Sequence, residues 1–248
     1  MAILKDRLLG LHAPSKDRVT GISGHAPSED RVTGGAKMEY RQMYKRNLPH
    51  YQPKNGLLFV TFRLNFAVPA QYINAYHKYR ESLEAQLDIK ESIKPQQIVL
   101  HKKLFDFVDN YYPEIHSEID LTKPPEIAIL LSDILRSLHD EYYALYAFTI
   151  MPNHVHILLK PLTVDEKDLS LAEIMHKIKG SSARQINLVL QRQGKLWQRE
   201  YYDHWVRTDQ EMWNVVEYIR QNPVRAKLAS DPECWRWTWI NPELGRKI

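Results

Sequence analysis

The sequence predicts an α+β fold of ferredoxin-like or RRM-like type: an antiparallel sheet with helices packed on one face and a helical insert after the first strand. Two observations carry this. Runs with the period of a strand and runs with the period of a helix follow one another in the order strand, helices, strand, strand, helix, strand, helix. Two of the strands are joined only by Met151-Pro152-Asn153, a linker that suits a tight hairpin. A sheet of this kind hosts many activities and decides none of them.

The chain begins with a near repeat, "HAPSKDRVTG" at 12–21 and "HAPSEDRVTG" at 25–34, too poor in apolar residues to pack as a structural unit. Residues 1–37 are expected to be poorly ordered. Ordinary globular sequence starts at Met38, which we expect to be the true translation start, with the earlier segment read from a repetitive DNA element; the folded domain then covers 38–248. "GLLFVTFRLNF" at 56–66 is rich in β-branched and aromatic residues and follows a turn-forming "PKNG", so it is the first strand. Tyr72, Tyr76, Tyr79 and Leu83 fall at helical spacing within 69–92, and 97–139 continues as helices interrupted by "KPPE" at 123–126. Together they form the insert, about 69–139. "YALYAFTI" and "HVHILLKP" are the hairpin strands, 169–194 is a helix, and 195–207 is a further strand. A helix over 209–221 is expected to stop at "NP", 222–223. A short helix around 224–229 and a tail carrying Trp235, Trp237 and Trp239 complete the chain.

Composition excludes several classes. With 44% hydrophobic residues the chain can bury a sizeable core. A single cysteine, Cys234, leaves no intramolecular disulfide and no multi-cysteine zinc site. No apolar run reaches the length of a membrane span, so the expectation is a soluble, cytoplasmic protein with no membrane partner. The formal charge of +4 is unevenly spread: residues 176–228 hold ten Lys/Arg against five Asp/Glu. That excess suits a polyanionic partner and equally suits a solvated surface of mixed charge.

The residues with chemistry are fewer. In "TIMPNHVHILLKP" (149–161), His154 and His156 share one face of a strand while Val155 and Ile157 take the other. Two adjacent imidazoles suit a metal, or else they are simply half-buried histidines with satisfied bonds. A metal needs a third ligand from elsewhere. On the last helix, Tyr218 and Asn222 are one turn apart and can offer a hydroxyl and an amide oxygen to one point; the plainer reading makes them a core aromatic and a helix cap. Gln221 points about 100° away from that face. Tyr201 and Tyr202 lie on opposite faces of their strand, and His204 shares the face of Tyr202, where either could assist at a site. Lys177, Lys179 and Arg184 lie on one helix, as phosphate contacts or an ordinary solvated face. Trp197 either stacks on an unpaired base or fills the core.

Taken in order, "MPNHVHILL", "IMHKIKGSSARQIN", "WQREYYDHWVR" and "EYIRQNPVRA" resemble the single-tyrosine HUH transposases, and most nearly their REP-associated branch, linked to palindromic repeats in bacterial genomes. The resemblance runs from about residue 56 to 240. It implies a metal-dependent single-strand DNA endonuclease and strand transferase acting on hairpin or palindromic repeat DNA, as monomer or homodimer. By it, His154 and His156 are the metal-binding pair, Tyr218 the nucleophile that becomes linked to a DNA 5′-phosphate, and Asn222 the third metal contact where many relatives carry glutamine. The cofactor it implies is Mg²⁺ or Mn²⁺, and imidazole ligands tilt the choice towards Mn²⁺. The rival readings are an RRM-like module that binds single-stranded nucleic acid without cutting it, and a hydrolase that uses water in place of tyrosine.

Overall fold

The computed structural model describes residues 40–41, 52–53, 55–66, 68–86, 93–111, 117–164 and 167–244. The N-terminal repeat and Met38 lie outside the described residues. The first strand of the main sheet, β1 (Leu57–Arg63), is followed by helices α1 (Ala70–Glu84), α2 (Ile93–Tyr111) and α3 (Pro125–Ser137). The hairpin strands β2 (Tyr143–Ile150) and β3 (His154–Pro161) come next, then α4 (Leu171–Val189), β4 (Tyr202–Val206), α5 (Asp209–Arg225) and β5 (Thr238–Ile240). The five strands form one antiparallel sheet in the order β4-β1-β3-β2-β5. The first four have the arrangement of a ferredoxin-like split βαβ unit, as the element order foretold.

The hairpin strands fall where their alternation puts them. Their linker is fixed by backbone bonds: Met151 N–H donates to His154 O at 2.8 Å, Leu64 N–H to Asn153 O at 2.9 Å, and Leu121 N–H to Pro152 O at 2.7 Å. The start of β3 is thus held on several sides before any side chain is counted.

The helices do not share one face, as the sequence reading supposed. On one face Leu58, Val60, Phe62, Val155, Ile157 and Leu159 meet α3 and α4 through Leu131, Leu135, Ile174 and Ile178. Each such fully buried aliphatic contributes roughly 1.5–3 kcal/mol. On the other face Phe59, Ala147, Leu158 and Val206 are covered by Val216 and Ile219 of α5 and by Phe105 of α2. Both faces of β3 are therefore buried, which is why its sequence reads as a nearly continuous apolar run. The helices between β1 and β2 divide between these environments: α3 belongs to the main core, whereas α1 and α2 pack on each other around Tyr76, Leu83, Leu104 and Val108.

Three boundaries differ from the sequence reading. Only Tyr202–Val206 of the segment 195–207 is a strand; before it, Leu64 and Trp197 form an isolated bridge. Helix α5 continues through Pro223 to Arg225. A proline this close to a helix end removes one late bond and no more. The end itself comes at Lys227, left-handed with φ 57°, where Lys227 N–H donates to Val224 O and Leu228 N–H to Pro223 O. This is a Schellman cap, and it absorbs the separate helix expected at 224–229. The Trp-rich tail supplies β5, which pairs with the edge of β2 and stacks Trp239 on Phe148. Among the described residues no helix is long and apolar enough to cross a membrane.

Candidate metal centre and nucleophile

β3 is the middle strand of the sheet, and its alternation turns His154 and His156 to the face covered by α5 and α2. Across the ladder, Thr61 lies opposite His156 and Arg63 opposite His154. Asn153 Oδ1 accepts from His154 Nδ1 at 2.6 Å, and Thr61 Oγ1 lies 2.7 Å from His156 Nδ1. With both Nδ1 atoms so engaged, the two Nε2 atoms face each other at 3.1 Å. The rings are 1% and 0% exposed. At that distance the two nitrogens can share one proton, or one cation can take its place. Ligands held about 2.1 Å from one cation at right angles lie about 3 Å apart, so the pair has the spacing of two ligands of one ion.

A carboxylate completes the convergence. Asp109, buried on α2, places Oδ1 at 3.8 Å from His154 Nε2 and 3.5 Å from His156 Nε2. Asp109, His154 and His156 could therefore bind a metal ion. Arg63 Nη2 donates to the same Oδ1 at 2.8 Å in a buried ion pair. Oδ2 accepts a short hydrogen bond from the Tyr218 hydroxyl and a longer one, 3.3 Å, from Asn222 Nδ2. Asn222 is also in hydrogen-bonding contact with His156. Tyr218 lies edge-on to Phe59 and His156, with ring centroids at 5.7 and 5.5 Å.

The charges follow from this packing. Burial, helped by Arg63, holds the His154 imidazolium well below its ordinary pKa against the pull of Asp109. Burial likewise lowers His156 to about 4, with Asp109 opposing and Arg63 assisting. Both rings are neutral at pH 7, the state a metal ligand needs. Burial alone would raise the Asp109 carboxyl, but the facing His156 ring, Arg63 and the Tyr218 hydroxyl outweigh it and keep the group ionised. Burial and then the Asp109 charge push the Tyr218 phenol above its ordinary value.

Helix α5 is positioned by its own start. Thr208 Oγ1 accepts from Glu211 N–H at 3.1 Å, while the Glu211 carboxylate accepts from Arg207 N–H and from His204 Nε2, each at 2.7 Å. His204 thus ties β4 to α5. Tyr202 is at the rim, stacked on Phe105 with centroids 3.9 Å apart. The expected DNA contacts fare differently. Lys179 Nζ donates to the carbonyls of Gln198, Arg199 and Glu200, so it fastens the segment before β4 and is not presented to a phosphate. Trp197 is 6% exposed, packs on Phe62 and donates Nε1–H to Ser182 Oγ at 2.9 Å. That is the core reading, and stacking on a base is closed to it. Lys177, over the Tyr142 ring, and Arg184 are exposed on α4, which covers the opposite face from the histidines.

The residues that sequence reasoning missed are Asp109 and Arg63. Arg63 left a signal, a cation in an apolar strand facing the histidine strand. Asp109 left none, because only the fold of α2 across the sheet brings it there.

Residues 123–222 match the family model described as Transposase IS200 like. The resemblance read from the motifs is thereby upheld over the segment that holds His154, His156, Tyr218 and Asn222; Arg63 and Asp109 fall outside it. Among curated proteins, the chain is similar to a REP-associated tyrosine transposase of Haemophilus influenzae, 25% identical over 111 residues that make up 41% of this chain and 61% of that protein. The chain thus spans about three fifths of that relative's length. A solved structure of a REP-associated tyrosine transposase bound to a REP hairpin superposes with a TM-score of 0.47 at 16% identity, covering 83% of this chain and 87% of that one.

Proposed function

We propose that this protein is a metal-dependent single-strand DNA nicking and rejoining enzyme of the IS200-like transposase type, acting on palindromic repeat DNA through Tyr218. The observation that carries the reading is that Tyr218, from the last helix, sets its ring on His156 of the buried histidine pair and its hydroxyl on Asp109, whose other oxygen faces both imidazoles. A sheet that only gripped nucleic acid would present exposed aromatics on this face, where this one presents two buried imidazoles beneath a phenol.

The donor set fits a divalent cation, held by His154 and His156 with oxygens from Asn222 and Asp109 within reach. Such a cation, Mg²⁺ or Mn²⁺, supplies Lewis acidity to the scissile phosphate. Asn153 accepts from His154 Nδ1 and so leaves its Nε2 free to bind, and Thr61 orients the His156 ring through its Nδ1. Helix α5 delivers Tyr218 Oη to the phosphorus. The new bond is Oη–P; the bond to the 3′ oxygen breaks; the phenolic proton leaves and the 3′ oxygen takes one up. The phosphotyrosine retains the energy of the broken phosphodiester, since phenol is a far better leaving group than an alcohol. A DNA 3′-OH can then reverse the step, and rejoining needs no nucleotide cofactor.

The test is direct. A labelled single strand carrying a hairpin is incubated with the protein and Mn²⁺, digested with protease and run on a denaturing gel. A labelled peptide–DNA adduct that disappears in Tyr218→Phe is the expected result. Cleavage without an adduct indicates a water nucleophile, and an adduct in Tyr218→Phe overturns the assignment.

A further inference from the structure

For Tyr218 to attack a phosphodiester, the phosphorus must reach Oη. One non-bridging oxygen must face the two Nε2 atoms, and the negative charge must meet a cation. That place is taken. Asp109 sets one oxygen on the Tyr218 hydroxyl and Asn222 Nδ2, and the other before both imidazoles and against Arg63 Nη2. A carboxylate and a phosphodiester share a single negative charge and a pair of equivalent acceptor oxygens, so the same donors satisfy either.

The neighbouring residue repeats the pattern. Asn110 Oδ1 accepts from Arg225 Nη2 at 3.0 Å, and the Arg225 guanidinium lies 4.9 Å from the centre of the Tyr218 ring. Arg225 is on the face of α5 that carries Tyr218 and Asn222, one turn further on. Two adjacent residues of α2 therefore occupy two arginines, the phenol and the amide. The histidines beneath are 1% and 0% exposed, so no strand reaches them while α2 stays. Helix α2 is suited to leaving: its packing with α1 makes a separate apolar cluster, and it meets the sheet face through Phe105 and Asp109.

We propose that Asp109 stands in the place of the scissile phosphate, and that Arg63 and Arg225 are the cations that receive the phosphate when α2 withdraws. The proposal rests on Tyr218 as the nucleophile. It differs in sign from the view that Asp109 is a permanent metal ligand: removing a ligand weakens the site, whereas removing a substitute for the substrate opens it.

The experiment measures binding separately from chemistry. A fluorescein-labelled hairpin oligonucleotide with a single-stranded flank is titrated by anisotropy in EDTA, where no strand is cut. Asp109→Asn and Asp109→Ala are each expected to bind about 10-fold more tightly than the unaltered protein, and adding Arg63→Gln to Asp109→Ala is expected to reverse the gain. Asp109→Asn keeps the shape of the side chain and carries the test if the alanine variant does not fold. In Mn²⁺, adduct formation by Asp109→Asn is expected to be faster than by the unaltered protein. Affinity equal to or below that of the unaltered protein overturns the proposal, as does loss of Mn²⁺ binding in Asp109→Asn. Tighter binding with no adduct from any variant leaves Asp109 as the substitute and removes Tyr218 as the nucleophile.

Discussion

Acid should unfold this protein through its two buried histidines. Burial holds His156 at about 4 and lowers His154 as well, whereas the unfolded chain has ordinary imidazoles near 6.5. The unfolded state therefore binds more protons below pH 6.5, and stability present above that pH is lost as pH falls towards 4. One unit of displacement is worth about 1.4 kcal/mol, so the span from 6.5 to about 4 gives roughly 3–4 kcal/mol from His156 alone. Urea unfolding in EDTA at half-unit intervals between pH 7.5 and 4 reads this directly. His156→Gln keeps an amide in place of the ring and should reduce the slope by about one proton, or about 1.4 kcal/mol per pH unit. A midpoint that stays level between pH 6.5 and 4.5, or a slope that His156→Gln leaves unchanged, would refute the reasoning.

Added Mn²⁺ should raise the melting temperature, by the equivalent of about 2.7 kcal/mol at a hundred times the dissociation constant, and His154→Ala should abolish the rise. Trp197→Ala should destabilise the fold by about 3–5 kcal/mol in denaturant melts, because it removes a buried indole and strands Ser182, while hairpin affinity per folded molecule stays the same. Lys179→Met should lower stability by about 1–3 kcal/mol, since three carbonyls lose their donor, and should leave the salt dependence of oligonucleotide binding unaltered; a shallower salt slope would place that lysine on phosphate after all.

The parts of the fold legible in the sequence were those set by local periodicity. The hairpin strands could be read to the residue because alternation and the Met-Pro-Asn linker agree. Tyr218 and Asn222 could be placed on one helix face because helical spacing is a local rule. The side of the sheet that each helix covers was not legible, since both faces of β3 are apolar and neither announces its partner. Pro223 misled because a proline's effect depends on how far it stands from a helix end, which the cap at Lys227 decides. Lys179 and Trp197 look like nucleic-acid contacts by type, yet one caps backbone carbonyls and the other fills a core position. Asp109 is more than 40 residues in sequence from Arg63 and from both histidines, and no short-range pattern could have joined them.

The histidines stand on the middle strand of a sheet that is sandwiched from above and below. An anvil of that kind does not flex, because every displacement of it would disturb two packed layers at once. On the proposed reading the imidazoles stay in place, and timing rests with the two helices that cover them, the last and the second.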